Sequence, residues 1–376
     1  KRQLDCIGIF ILFERVTGSA GFIGSFLCQE LLGRGYRVVG YDNYSKYGYV
    51  KRPFDTHPNF HFVKKDLASG LPGFHNWSPD YIIAGAAMIG GISYFHKYAY
   101  DLLATNERIT ANTFDAAIEA KKQPSSNLNR IVVLSSSMVF EGADAEFSKL
   151  NELASLNCCG PGNFCVDPEK QVWPSKETHI TELPPPRSTY GFQKLSTEYF
   201  AKGAYEQYGL PYTIVRPFNC VGVGEGEAKG EASVMSGNVK LMMSHVLPDL
   251  INKCLLGQDP LHILGDGSQV RCYTHGKDIA RGIVEAMERS SGLMQDFNIS
   301  TPVATTVMEL AKLVWEEINP TKEFNYVSDT PFEYDVQRRV PDVSKARDIL
   351  GFEALIPLKQ SIKEVIEYIR ELNKEI

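Results

Sequence analysis

Val16-Thr17-Gly18-Ser19-Ala20-Gly21-Phe22-Ile23-Gly24 decides the fold. A β-branched pair closes an extended run, glycines follow at intervals of three, and Phe22, Ile23, Phe26, Leu27 and Leu31 then recur on one helical stripe as far as Gly33. A strand that turns into a helix with no side chains in the way lets backbone N–H groups approach a dinucleotide pyrophosphate at the helix N-terminus. The spacing is Gly-x-x-Gly-x-x-Gly rather than Gly-x-Gly-x-x-Gly, but the context, strand before and helix after, is the one such a loop requires. Gly18, Gly21, Phe22, Ile23 and Gly24 are therefore candidate cofactor contacts. Upstream, the apolar run Cys6–Phe13 is too short to span a membrane and leads straight into the loop, which favours a buried first strand over a signal peptide. Glu14 and Arg15 interrupt that strand where apolar residues are expected. With no initiator Met, they suggest that the first fifteen or so residues differ from the natural start.

The alternation continues through the first half. Tyr36–Tyr41 reads as a second strand stopping at Asp42, Phe60–Val63 as a third ending near Asp66, Tyr81–Ala84 as a fourth, and Arg130–Leu134 as a fifth that runs into Ser135-Ser136-Ser137. Short β-branched runs separated by helical patterns signal parallel βαβ units, so the expected fold class is α/β, a Rossmann-type doubly wound parallel sheet. A long irregular segment, 141–188, carries Gly160-Pro161-Gly162 and Pro184-Pro185-Pro186 before a helix with Tyr190 and Lys194 and a strand at Tyr212–Arg216. Past Asn219 helices are expected near Leu247–Leu256, Asp278–Glu288, Thr306–Ile318 and Leu358–Leu372. The expected division is a dinucleotide-binding domain over 1–218, including loop 141–188. A smaller, discontinuous C-terminal substrate lobe over 219–376 returns in part to the sheet.

A chain of 376 residues with 43% apolar and 22% charged residues has ample length for such a core. The net charge of −6 argues against nucleic acid or an anionic membrane as the main partner. Eight cysteines show no zinc-ribbon or finger spacing, and a reduced, cytoplasmic chain is the expected setting. Cys158, Cys159 and Cys165 form a small cluster, read as loop packing. The eight histidines show no ligand spacing, so no metal is expected; His245 is read as either lining a base pocket or packing.

The chemistry gathers in the second half of the presumed sheet domain. Tyr190 and Lys194 stand at i and i+4 of a helix, on one face. There the ammonium lowers the tyrosine pKa and bonds the ribose of a nicotinamide cofactor. Ser135–Ser137, at the end of a strand, offers a hydroxyl to hold the oxygen that gains or loses a proton. Asp42, at the end of the second strand, is placed to accept from the adenosine ribose and to repel a 2′-phosphate, favouring NAD over NADP. Asp66 and Leu67 border the adenine in the same reading.

With these residues assembled, the chain resembles the extended short-chain dehydrogenase/reductase family, in its NAD-dependent nucleotide-sugar epimerase/dehydratase branch, over roughly Val16 to Leu372. Thr17–Gly24 is similar to the family's cofactor loop. Ala84-Gly85-Ala86-Ala87 stands where the branch usually has His-Leu-Ala-Ala, making Ala86 an implied cofactor contact, and Asn106 matches its helix asparagine. Ser135-Ser136-Ser137-Met138-Val139-Phe140 resembles Ser-Ser-x-x-Val-Tyr, which places the catalytic serine at Ser136; Phe140 in place of tyrosine is read as a packing change. Arg216-Pro217-Phe218-Asn219 and Gly265–Arg271 resemble segments whose asparagine and arginine, here Asn219 and Arg271, hold the substrate diphosphate. A guanidinium fork suits that target.

The departures narrow the reaction. Sugar 4,6-dehydratases carry an Asp-Glu pair where this chain has Ser137 and Met138, and some GDP-sugar enzymes carry a cysteine at the Met138 position. Gly90-Gly91 nonetheless resembles those GDP-sugar enzymes. Where many UDP-sugar epimerases have Arg-x-Gly-Asp, this chain has Phe332-Glu333-Tyr334-Asp335, and Arg338 or Arg339 is an alternative phosphate or ribose contact. The expected activity is an epimerase of a UDP-, dTDP- or GDP-linked hexose, inverting C4 through a transient keto-sugar. The alternative is a dehydratase, decarboxylase or reductase of the same family, drawing an acid such as Glu177 or Glu182 from loop 141–188. A non-catalytic dinucleotide-binding regulator is the remote third reading. The resemblance also implies a homodimer.

Overall fold

The structure, a computed structural model, describes residues 13–71, 79–90, 97–143, 173–225, 235–236, 239–240, 245–331 and 336–374. The cysteine cluster 158–165, Gly91 and the segment 332–335 lie outside the described residues. A parallel sheet organises the chain. Its strands are β1 (Phe13–Thr17), β2 (Arg37–Asp42), β3 (Phe60–Lys64), β4 (Tyr81–Ala84), β5 (Arg130–Leu134) and β6 (Tyr212–Pro217). Past a separate short strand, β7 (Leu261–Leu264), the edge strand β8 (Asp296–Ile299) completes it. Seven strands lie in the order β8-β6-β5-β4-β1-β2-β3. The order reverses at β1, which pairs β2 through Thr17–Tyr41 and β4 through Thr17–Ala84. A doubly wound sheet binds its ligand in the crevice at the carboxyl ends of the strands flanking such a reversal.

The helices cover both faces, as parallel strands buried on two sides require. On one face α1 (Phe22–Gly33) packs Phe26, Leu27 and Leu31 into a core shared with Ile279, Ile283 and Met287 of a helix at Gly276–Glu288. On the other, α2 (Ala99–Lys122) and α3 (Thr189–Tyr208) join Phe114, Ala117, Ala201 and Ala204 over Ile131 and Ile214. Small residues at that helix–helix contact let the two backbones approach closely. The later helices are, in chain order, α4 (Val246–Leu255), α5 (Gly276–Glu288), α6 (Val307–Ile318), α7 (Ser344–Leu350) and α8 (Leu358–Leu372), and a second core forms among some of them. Only α4, α6 and α8 contribute to it, around Ile251, Val314, Trp315 and Ile366. The strand β7 pairs in parallel with β9 (Tyr326–Asp329) at its edge. The chain after residue 219 thus builds a second core and also sends α5 and β8 back to the main sheet.

Two features depart from the sequence pattern. Asp296–Ile299 carried no strand expectation, yet it pairs β6 in register Asp296–Ile214 to Ile299–Pro217. Four residues are too few for alternation to show. The other departure is in β1. Glu14 is fully buried and Arg15 nearly so, despite the apolar demand of a central strand. Arg15 donates to the Tyr41 hydroxyl. The Glu14 carboxyl has no hydrogen-bond partner among the described residues. Burial, with Asp80 and Glu288 adding repulsion, holds its pKa well above the carboxylate range, so the strand tolerates it by keeping it protonated.

Candidate active site

The glycine loop is shaped by contacts that leave no room for side chains. Gly18 N–H donates to Tyr41 O at 2.8 Å. Gly18 also turns at φ +76°, and a Cβ there would lie 2.9 Å from the Ala86 Cα. A Cβ on Gly24 would lie 2.0 Å from the Gly18 carbonyl oxygen. Thr17 ties the crevice together: its hydroxyl donates to Ile83 O at 3.2 Å and accepts from Gly85 N at 3.0 Å and Ala86 N at 3.1 Å. No side chain caps α1 at Gly21, so its first-turn N–H groups remain for an anion.

Asp42 closes this end. Its carboxylate accepts from Ala20 N at 3.1 Å and Tyr44 N at 2.8 Å. Burial raises its pKa, against those backbone bonds and the nearby Arg52 guanidinium. Glycines that a Cβ would clash with, an uncapped helix start and an acid at the end of β2 together fit an NAD dinucleotide. Asp66 accepts from Ala68 N at 3.0 Å and so caps the turn that presents Leu67.

Gly18, Gly21, Phe22, Ile23, Gly24, Asp42, Asp66 and Leu67 line one cavity of about 620 Å³, and so do Ala86, Ser136, Tyr190, Lys194, Asn219, Arg271 and Arg339. Asn106 does not. It is buried, and its side-chain amide accepts from Met88 N at 2.6 Å and donates to Met88 O at 2.9 Å. Both polar ends of the amide are thereby engaged in fixing the backbone of Met88, which itself lines the cavity.

The three serines separate by partner. Ser135 donates to Glu198 at 2.6 Å. Glu198 holds the buried Arg216 through two bonds of 2.8 Å, and Arg216 reaches Asp296 at 2.8 Å. Ser137 is buried in the short turn that follows β5. Ser136 is the one that bonds the Tyr190 hydroxyl. Ser188 caps α3 by accepting from Gly191 N at 3.0 Å, and Glu141 accepts from the Ser188 hydroxyl at 2.7 Å. This start places Tyr190 against β5. Lys194, one turn on, donates to Leu134 O at 2.9 Å and lies 5.9 Å from the centre of the Tyr190 ring.

Burial pushes the Tyr190 phenol up to about 12, while the Ser136 bond and the Arg339 cation pull it back. Burial pushes Lys194 down to about 8, against the pull of Glu198. The expected lowering of the tyrosine pKa by Lys194 is therefore not what this state displays: Arg339 is the charge that acts on the phenol. Sequence alone left Arg338 and Arg339 as alternatives. Arg338 is exposed and lies over the Trp173 ring, 5.8 Å from its centre. Arg339 turns inward and donates to the Met138 sulfur at 3.1 Å.

Met138, Leu102 and Val336 pack with Tyr190 as a buried apolar group. Asn219 lines the cavity with a buried side-chain oxygen that has no partner among the described residues. Arg271 is buried, and its guanidinium donates to Val270 O at 2.9 Å. His245 precedes α4 and pairs with Glu225; desolvation in the cavity, then Lys46 and Arg339, push it down to about 3. Glu177 and Glu182 stand outside. Glu177 accepts from Asn298 N at 2.8 Å, docking the end of the long segment onto β8, and Glu182 is exposed. Phe140 is buried and stacks on Phe218. Among the described residues no group of three or more metal-ligating side chains is found, and no helix is long and apolar enough to cross a membrane.

A sheet reversed at β1, a glycine loop and a Ser-Tyr-Lys group in one crevice define a dinucleotide-dependent oxidoreductase-type fold. The chain belongs to the NAD dependent epimerase/dehydratase family, whose model matches residues 15–300, and its cofactor is NAD. It is 26% identical to the UDP-N-acetyl-alpha-D-glucosaminuronate decarboxylase of Bacillus cytotoxicus, over 96% of this chain and 98% of that protein. It is 27% identical to a putative UDP-glucose 4-epimerase of Methanocaldococcus jannaschii, over 96% of this chain and 99% of that protein. The solved UDP-glucose 4-epimerase of Thermotoga maritima with UDP-glucose superposes with a TM-score of 0.71 at 27% identity, covering 96% of this chain and all of that one. Epimerases and decarboxylases of nucleotide sugars thus stand equally near.

Proposed function

We propose that this chain is an NAD-dependent epimerase of a UDP-hexose, inverting C4 through a keto-sugar. The observation that carries the reading is Met138. A thioether stands beside Tyr190 where elimination needs a carboxyl group, and the nearest cavity-lining carboxylate on that segment, Glu141, is engaged with Ser188. A hydroxyl oxidised and reduced at the same carbon needs one proton-transferring residue, and Tyr190 is that residue. UDP is preferred among the nucleotides because the relatives above are named for UDP-sugars.

NAD, when bound, supplies the site that accepts and returns the hydride. Tyr190 takes the proton of the substrate hydroxyl, and Ser136 holds that oxygen in line. A phenol raised by burial needs positive charge to ionise, which Arg339 supplies directly; Lys194, one turn on, is placed to bond the nicotinamide ribose. Asn219 and Arg271 anchor the diphosphate, so the sugar can turn between hydride transfers while the nucleotide stays in place. Gly18, Gly21, Phe22, Ile23, Gly24, Asp42, Asp66, Leu67 and Ala86 bound the dinucleotide.

Arg339 favours a second reading. A guanidinium next to Tyr190 suits a substrate whose sugar carries a carboxylate, so a UDP-hexuronic acid could be epimerised, or lose carbon dioxide from the keto intermediate. Incubation with UDP-glucose, UDP-N-acetylglucosamine and UDP-glucuronic acid, followed by mass and proton NMR, separates these. An unchanged mass with an altered ring-proton coupling is the expected result; a loss of carbon dioxide or water overturns the epimerase reading. The proposal includes a homodimer pairing α2 and α3, supported by Tyr100 and Tyr199 exposed on those helices. A reducing, cytoplasmic setting is supported by the free Cys28, Cys220, Cys254 and Cys272.

A further inference from the structure

Lys194 and Glu198 follow Tyr190 at successive turns of α3, on one stripe of the helix. All three side chains are buried, Glu198 completely. Their partners are three consecutive residues at the carboxyl end of β5. Lys194 donates to Leu134 O at 2.9 Å, Glu198 accepts from the Ser135 hydroxyl at 2.6 Å, and Ser136 bonds the Tyr190 hydroxyl. Tyr190 and Lys194 line the cavity and Glu198 does not, so the third bond is made behind the wall, out of reach of any ligand.

The Glu198 carboxylate is engaged on both oxygens. Beside Ser135 it accepts from Arg216 Nε and Nη2 of β6, both at 2.8 Å. Arg216 reaches Asp296 of β8 at 2.8 Å, and Lys345 meets Asp296 at 2.7 Å. A buried ion pair adds little stability over apolar residues of the same volume, because desolvation offsets the attraction. The gain is to be sought beside it, at Lys194. Burial pulls that ammonium down to about 8, and Glu198 is the charge that opposes the fall. The other charges around α3 act elsewhere: Glu107 of α2 accepts from Ser196, Glu141 accepts from Ser188, and Arg339 acts on Tyr190.

We infer that Glu198 is a positioning residue of this site, which ties the end of β5 to α3 through Ser135 and keeps the Lys194 ammonium charged. The inference rests on the proposed reading that Lys194 bonds the nicotinamide ribose, and it assigns a role to a side chain that touches neither ligand.

The test uses the full chain, its Glu198→Gln and Glu198→Asp variants, and a Glu198→Gln/Arg216→Met double variant, with NAD titrated calorimetrically at pH 6 and pH 8. The double variant removes the cation that Glu198→Gln alone would leave buried without its carboxylate, so it keeps the test open if the single variant fails to fold; melting curves show which is folded. The neutral variants are expected to bind NAD within about twofold of the parent at pH 6 and about fivefold more weakly at pH 8, because their Lys194 loses its proton at lower pH. Glu198→Asp keeps the charge and is expected to stay within about twofold at both. Lys46, another cavity lysine brought down to about 8, is common to every protein compared and cancels in the ratio. A deficit equal at the two pH values, or no deficit, overturns the inference, and so does an aspartate variant that behaves like the glutamine one. A parent that binds NAD but converts no UDP-sugar overturns the epimerase reading instead, and the same titrations still decide Glu198.

Discussion

The two walls of the cavity are built by opposite means. The cofactor wall is one contiguous stretch, Thr17 to Gly24, with Asp42 one strand further on, and much of its work is done by backbone. The reactive wall gathers Ser136, Met138, Tyr190, Lys194 and Arg339, which are up to about two hundred residues apart, and its work is done by side chains. A contiguous wall is sensitive to added volume; a dispersed wall is sensitive to the loss of a single functional group.

The sharpest way to break this contrast is Tyr190→Phe. It removes one hydroxyl from the reactive wall and is expected to lower turnover about a thousandfold, roughly 4 kcal/mol, with NAD affinity unchanged. Steady-state kinetics beside a NAD titration reads both. A variant that turns over normally would show that Tyr190 does not move the proton.

Gly24→Ala probes the other wall. A methyl group 2.0 Å from the Gly18 carbonyl must displace the loop, at a cost of about 3 kcal/mol in stability and with a large loss of NAD affinity. Thermal melting and fluorescence titration measure the two effects. Undiminished NAD binding would show that the loop does not hold the pyrophosphate.

Glu14 tests a part of the sheet that belongs to neither wall. Its folded pKa is raised above the unfolded value of about 4.3. The protonated form therefore costs nothing extra below that value, and stability falls as pH rises towards the folded pKa. Glu14→Val is expected to stabilise the protein by about 2 kcal/mol at neutral pH and to flatten this dependence. Urea melts at pH 5, 7 and 8 check it; a parent protein equally stable at all three would contradict the buried neutral acid.

The smallest effect is assigned to Arg339→Met. Arg339 lowers the Tyr190 pKa, so without it the phenol is harder to ionise. The acidic limb of the kcat profile is expected to move to higher pH, with about a tenfold loss of rate near neutrality. A pH profile unmoved by the substitution would place Arg339 on the diphosphate instead of the phenol. The profile thus separates two roles that a rate at one pH does not.

Sequence reading reached the parts of the molecule that depend on neighbours in the chain. The glycine turn, the boundaries of α1, β4 and β5, and the Tyr190–Lys194 spacing are all local, set by periodicity and by steric exclusion over a few residues. The residues by themselves left Ser135, Ser136 and Ser137 open and the family resemblance placed the catalytic serine at Ser136; in the structure Glu198 takes Ser135 and Tyr190 bonds Ser136, each from α3.

Sequence by itself thus determined a doubly wound α/β sheet, an NAD loop and a Tyr-Lys pair, because backbone sterics and helical spacing act at short range. Tertiary structure alone decided that Arg339 turns inward while Arg338 turns out, and that Asn106 supports the wall without lining it. It also decided that Glu14 and Arg15 are compatible with a central strand. Each of those outcomes depends on burial and on charges brought together from distant positions, and electrostatic energies are set by the surroundings of a group, which the order of residues does not specify.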